Sequence, residues 1–230
     1  MYYKYINRIQ TPFEAARAIF LLIGDIMATT VKKDSKTEFT EKKSVFIGQA
    51  FFVTSEDEAK AKIAEVRAQY PDATHVCYAY SLRSPSVQRF SDDGEPSGTA
   101  GMPILHVLQT KGLVDTLITV TRYFGGILLG AGGLVRAYSS SAADAITAAG
   151  VGEIVEYTRF EMKYGYDLHS SVERALTQAG ADIEDRDFGA DVTIKAALQT
   201  QEYEAFKEKM KNEFYTVKVT ETEKFSDTEK

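Results

Sequence analysis

"TRYFGGILLGAGGLVRAY" occupies residues 121–138 and holds five glycines and no proline. The run before it, "DTLITVTRYF" (115–124), is β-branched and reads as a strand. The run after it, "LVRAYSSSAADAITAAG" (134–150), has helical spacing and stops at Gly150. A strand, a glycine turn over 125–133 and a helix therefore follow one another. Two readings of the glycines stand side by side. They permit tight packing of the turn, or they aim free N–H groups and a helix dipole at an anion. In the second reading Arg122 and Arg136 add positive charge at either end. The spacing is neither a Walker motif nor G-x-G-x-x-G.

Working outward, "SVFIGQAFFV" (45–54) is a strand. Ser55 and Glu58 form a capping-box pattern, and Pro71 ends the helix that they open. Ala59, Ile63, Val66 and Tyr70 mark its apolar face. "THVCYAYSL" (74–82) is another strand. "RSPSVQRFSDDGEPSGTAGMP" (83–103) is polar and rich in Gly, Pro and Ser, and is expected to be one long loop. "ILHVLQTKG" is a short helix closing at Gly112. After Gly150 the pattern changes to strand, helix ending at Gly180, two strands joined around Gly189, helix and strand. That βαββαβ order is the split unit of a ferredoxin-like sandwich. The fold class is α+β in two domains, 27–150 and 151–230, with "SDTEK" expected to fray.

The net charge of −6 is uneven. Residues 151–230 carry 11 basic and 18 acidic side chains, whereas residues 27–150 carry 13 of each. The first domain, neutral rather than basic, is thus not disfavoured as a nucleic-acid or phosphate surface. Cys77 is the single cysteine, which excludes an internal disulfide framework and fits a reducing cytoplasm. No apolar run reaches the roughly 20 residues of a membrane span. Residues 1–26 are expected to be an upstream in-frame extension, with the cellular protein starting at Met27. Gly24-Asp25 can be encoded as GGAGAT, which resembles a bacterial ribosome-binding site. The alternative is an amphipathic helix, "PFEAARAIFLLI".

"SDDGEPSGTAG" places Asp92, Asp93 and Glu95 within four residues. Three carboxylates so close suit a divalent cation or acid–base work. They equally suit an ordered turn, with Asp accepting N–H bonds, Gly94 at positive φ and Pro96 stiffening the chain. Neither a metal nor a cofactor is called for, and no catalytic residue is assigned. His75 and Cys77 share a strand face, and Cys77 reads as core rather than nucleophile. Alternation in "TRYF" puts Thr121 and Tyr123 on one face, and Arg122 and Phe124 on the other. Aromatics beside arginine suit base stacking or a strand core.

Together "RFSDDGEPSGTAGMPIL", "TRYFGGILLGAGGLVRAY" and the upstream "THVCYAY" resemble the bacterial IMPACT family, from about Thr30 to the carboxyl end. The resemblance implies a first domain like the second domain of ribosomal protein S-five, followed by a ferredoxin-like domain. The last two domains of elongation factor G carry the same pair of folds. Eukaryotic members regulate translation through an additional amino-terminal domain, a role not transferred to this chain. The binding surface implied is Asp92, Asp93, Gly94, Glu95, Pro96, Ser97, Gly98 and Thr99 on one loop. On the other it is Arg122, Tyr123, Gly125, Gly126, Gly130, Gly132, Gly133 and Arg136. The family pattern implies a basic residue where this sequence has Leu128. The functional expectation is a non-enzymatic binding protein associated with RNA or the ribosome, with a possible protein partner at the acidic second domain. The alternative is a hydrolase or phosphate-handling enzyme using the Asp92–Glu95 loop and the glycine loop. Intact mass of the protein from its native host tests the start: a mass beginning at Met27 is expected, and one that includes residues 1–26 overturns the extension.

Overall fold

A computed structural model describes residues 28–228. The expectations for residues 1–26 lie outside the described residues. The chain folds into two compact units, the second running from Ile154 to Glu229. Helices and strands are mixed throughout, and the expected two-domain α+β class is what is found.

In the first unit, β1 (Thr29–Val31), β2 (Ser35–Glu41) and β3 (Ser44–Phe52) precede α1 (Glu56–Gln69). Then come β4 (His75–Arg83), β5 (Ser86–Ser91), α2 (Gly101–Thr110), β6 (Thr116–Tyr123) and α3 (Ala131–Ala149). One antiparallel sheet has the order β2-β3-β6-β4-β5. Period-two alternation sorts its residues to two cores. Phe46, Ala50, Cys77, Ala79, Ile118 and Val120 pack with α2 and α3. Phe51, Val76, Tyr80, Leu82 and Leu117 pack with Ala59, Ile63 and Val66 of α1. Central strand β6 is covered on both faces, so Thr116 to Arg122 are all buried. This is why its sequence reads as a continuous run rather than an alternating one.

Local chemistry sets the edges of these elements. Ser55 Oγ accepts the Glu58 N–H at 3.2 Å, opening α1. The returning Glu58 carboxylate accepts from the Thr54 N–H at 2.7 Å, one residue earlier than a standard capping box. The β2–β3 hairpin turns on Lys42 and Lys43, at φ +47° and +65°. Two positive φ values make a type I′ turn, usually given to Asn-Gly because side chains resist it by roughly 1–2 kcal/mol per residue.

Two sequence expectations need correction. The stretch 83–103 is not one long loop: Ser86–Ser91 pairs with β4, because Val87 packs at the rim of the α1-side core. The tail is not frayed from Ser226, since the last strand continues to Thr228 in register with Ile154.

The second unit takes β7 (Val151–Tyr164) from Ile154 onward. A 3-10 turn (Tyr166–Leu168) leads into α4 (His169–Ala179), followed by β8 (Asp182–Phe188) and β9 (Val192–Gln199). α5 (Thr200–Glu213) and β10 (Lys218–Thr228) complete it. The antiparallel order β10-β7-β9-β8 is that of a ferredoxin-like sandwich. Phe160, Met162, Ile194 and Leu198 form its core with Val172 and Leu176 of α4 and Tyr203, Phe206 and Met210 of α5. The first three residues of β7 belong to the first unit, where they pair with β1.

Close packing of α3 on the sheet depends on Gly48 of β3. A Cβ there would lie 2.5 Å from the Ser141 carbonyl oxygen. Gly48→Ala is expected to lower stability by about 1–3 kcal/mol, because the helix backbone has to move. Urea unfolding reads this as a lower midpoint with an unchanged slope.

Candidate functional site

The acidic loop is built by its own carboxylates. Asp92 Oδ1 accepts the N–H groups of Ala100 and Gly101 at 3.0 and 2.8 Å, and Oδ2 accepts that of Gly98 at 2.8 Å. Ala100 is the residue at which α2 opens, and it offers no side-chain cap, so Asp92 caps that helix from outside. Asp93 accepts the Val76 N–H at 2.7 Å and Arg67 at 2.8 Å. Gly94 sits at φ +87°, and Thr99 Oγ1 donates to the Pro96 carbonyl at 2.6 Å. Pro96, Ser97 and Gly98 are exposed.

Glu95 points the other way, into the core. Its Oε1 accepts from Arg122 Nη1 at 2.5 Å and from the Tyr138 hydroxyl at 2.7 Å. His75 lies beside it, with Nε2 at 3.9 Å and Nδ1 donating to the Asp93 carbonyl at 2.8 Å. Cys77 Sγ is 3.0 Å from the Asp92 carbonyl and 3.4 Å from the Tyr138 hydroxyl. Burial is the main force raising the Tyr138 hydroxyl well above its ordinary range. Burial likewise lifts the Cys77 thiol to about 12, against a smaller opposing hydrogen bond with Tyr138. Phe46, Arg122 and His75 lie in one row across β3, β6 and β4. The Arg122 guanidinium carbon is 5.4 Å from the ring centres of both Phe46 and Phe124.

This geometry corrects the surface expected for Arg122. The residue is 5 % exposed and its charge is matched by Glu95, so it is not offered to a phosphate outside. Tyr123 is also separated from it. Strand alternation turns Tyr123 to the α1 side of the sheet and Arg122 to the α2–α3 side.

The glycines divide by role. Gly125 has no room for a side chain: a Cβ would sit 2.0 Å from the Lys43 carbonyl carbon. Its N–H donates to Ser44 Oγ at 3.1 Å. Gly126 and Gly130 have φ of +81° and +72° and open surroundings. α3 starts at Ala131, so Gly132 and Gly133 belong to its first turn rather than to the loop. No side chain caps this helix start, and Arg136 is exposed one turn in. Around it Phe124, Ile127, Leu128 and Val135 face solvent, Leu128 at 81 %. The exposed pair Lys42 and Lys43 abuts Gly125. Lys42 and Lys43 were not expected beside the glycine turn, since "EKKS" carries no hairpin signal and no motif reaches it. Tyr138 stands inside the quoted stretch, but only folding brings it to Glu95.

Two consequences are measurable. Glu95→Ala leaves the Arg122 charge buried and unmatched, and is expected to lower stability by about 3–5 kcal/mol in urea unfolding. Adding Arg122→Met should lose less than the sum of the two single changes. Native Cys77 is expected to resist iodoacetamide and to react on unfolding. In the fold the thiol keeps its proton to about pH 12, whereas the unfolded chain releases it near 9.0. The unfolded state then binds fewer protons, so this group lowers stability as pH rises from about 9 to 12.

Comparison with known proteins fits this two-unit frame. Residues 42–146 match the family model described as the Impact N-terminal domain. Residues 162–214 match a second model, described as a domain of unknown function, DUF1949. IMPACT family member YvyE of Bacillus subtilis is 37 % identical over 182 residues, 79 % of this chain and 84 % of that protein. IMPACT family member YigZ of Escherichia coli is 36 % identical over 172 residues, 74 % and 84 % of the two chains. Protein IMPACT of Rattus norvegicus is 32 % identical over 95 residues, 40 % of this chain and 30 % of that one. A crystal structure described as that of a hypothetical protein aligns at a TM-score of 0.58 and 31 % identity, covering 85 % of this chain and 97 % of its own. With both units matched in order and more than a third of positions shared across most of the chain, the protein belongs to the IMPACT family.

Proposed function

We propose that the protein is a binding protein of the translation apparatus that holds RNA, or RNA on a ribosomal surface, on the glycine-loop side of its first unit. One observation carries this reading. Asp92, Asp93 and Glu95 are all engaged in building the fold, while Lys42, Lys43 and Arg136 and the apolar Phe124, Ile127 and Leu128 face solvent around the glycine loop, with Glu41 the exposed acid at the hairpin. Such a surface attracts phosphate and presents no free carboxylate pair for acid–base chemistry. Arg136, Lys42 and Lys43 supply its charge, and the uncapped start of α3 adds a partial positive one. Arg122 acts from beneath, holding the loop rather than the ligand. The second unit, at −7 over residues 151–230, is repelled by phosphate and suits a protein partner instead.

The rival reading, a hydrolase using the Asp92–Glu95 loop, has less support, because those side chains would have to leave existing hydrogen bonds to react. Among the described residues, no helix is long and apolar enough to cross a membrane.

Ribosome co-sedimentation at graded salt tests the proposal. Binding is expected at low salt and falls steeply as salt rises. Protein that stays at the top of the gradient even at low salt overturns it. Arg136→Ala is expected to weaken binding and to lower the salt slope by about 1, as the loss of one phosphate contact does.

A further inference from the structure

We infer that Phe124 and the Lys42–Lys43 turn form a small single-stranded RNA platform, the ring stacking on a base and the lysines holding its phosphates. The inference rests on the RNA reading above and names the residues that carry it out.

Phe124 is an unusual surface aromatic. It follows β6 directly, just past the buried run that ends at Arg122, and 45 % of it is open to solvent. One face is occupied by the Arg122 guanidinium, 5.4 Å from the ring centre, and that guanidinium is held by Glu95. The backbone on both sides is fixed as well. The Phe124 N–H donates to Thr74 Oγ1 at 3.0 Å, and the Gly125 N–H donates to Ser44 Oγ at 3.1 Å. Ser44 Oγ also accepts from Arg122 Nη2 at 3.3 Å, which ties ring, guanidinium and hairpin into one assembly. A ring already ordered in the free protein loses little entropy when a base stacks on it.

The charge stands next to the ring. Gly125 follows Phe124 directly and packs against the Lys43 backbone, so the hairpin tip is the ring's neighbour. Lys42 and Lys43 are both exposed at that tip and both at positive φ. An aromatic face beside a paired cation fits the two features that every single-stranded nucleotide offers, a π-face and a phosphate. Duplex RNA hides its base faces and meets only half of the site. Tyr123, which the family resemblance includes in the binding surface, lies on the other side of the sheet.

Fluorescence anisotropy with a labelled single-stranded RNA of about 12 nucleotides, set against the same sequence as duplex, tests the platform. The wild type is expected to prefer the single strand. Phe124→Leu keeps an apolar side chain and is expected to lose about tenfold or more in affinity with its salt slope unchanged. Phe124→Tyr is expected to bind like wild type, which separates loss of the ring from damage to the fold. Lys42→Gln with Lys43→Gln should flatten the salt slope by about 1.4, two single-strand phosphate contacts. If Arg136→Ala weakens binding and Phe124→Leu does not, the platform is overturned while the RNA reading stands. If the protein sediments with ribosomes but ignores the free single strand, the platform is overturned in favour of a ribosomal protein surface. If it binds neither, both readings fall.

Discussion

The buried Glu95 carboxylate is the contact on which the first unit is organised. It leaves a partly exposed loop, enters the core, and accepts from Arg122 of β6 and Tyr138 of α3. A carboxylate in that position is tolerable only because an arginine and a hydroxyl meet it, and the arginine is tolerable only because of the carboxylate. The loop, the strand and the helix are therefore locked to one another. Asp92 and Asp93 fix the same loop from its outer side, through the start of α2 and the β4 backbone. The two stretches that stand out in the sequence are the two halves of this one lock.

That arrangement changes what the glycines mean. Tight packing of α3 on the sheet depends on Gly48, outside the glycine-rich stretch, which lets the Ser141 backbone approach. Gly125 serves a different contact, the turn against the β2–β3 hairpin. Gly126 and Gly130 supply positive φ in open space, and Gly132 and Gly133 start a helix. Close approach and positive φ in open space are both present, at different glycines. The stretch thus serves packing at one end and leaves the other end open.

Legibility in the sequence followed the range of the interactions involved. α1 was visible because its cap, apolar face and stop all lie within sixteen residues of Ser55. The βαββαβ order of the second unit was visible because its elements alternate or repeat in their own periods, and Gly165, Gly180 and Gly189 mark three of the boundaries. β5 was hidden in a polar stretch, since an edge strand needs few apolar residues and only its pairing with β4 identifies it. β2 was left unassigned, and the Lys42–Lys43 turn violates the residue preference that would have marked it.

By itself the sequence determined the fold class, the order of elements in the second unit and which two stretches matter, because local periodicity, caps and motif spacing are properties of neighbouring residues. Tertiary structure alone decided how those stretches are used. It turned Arg122 inward and Arg136 outward, and set Phe124 beside a lysine pair some eighty residues earlier in the chain. Those outcomes depend on which side of a sheet is covered and by what, and no short window of sequence contains that information.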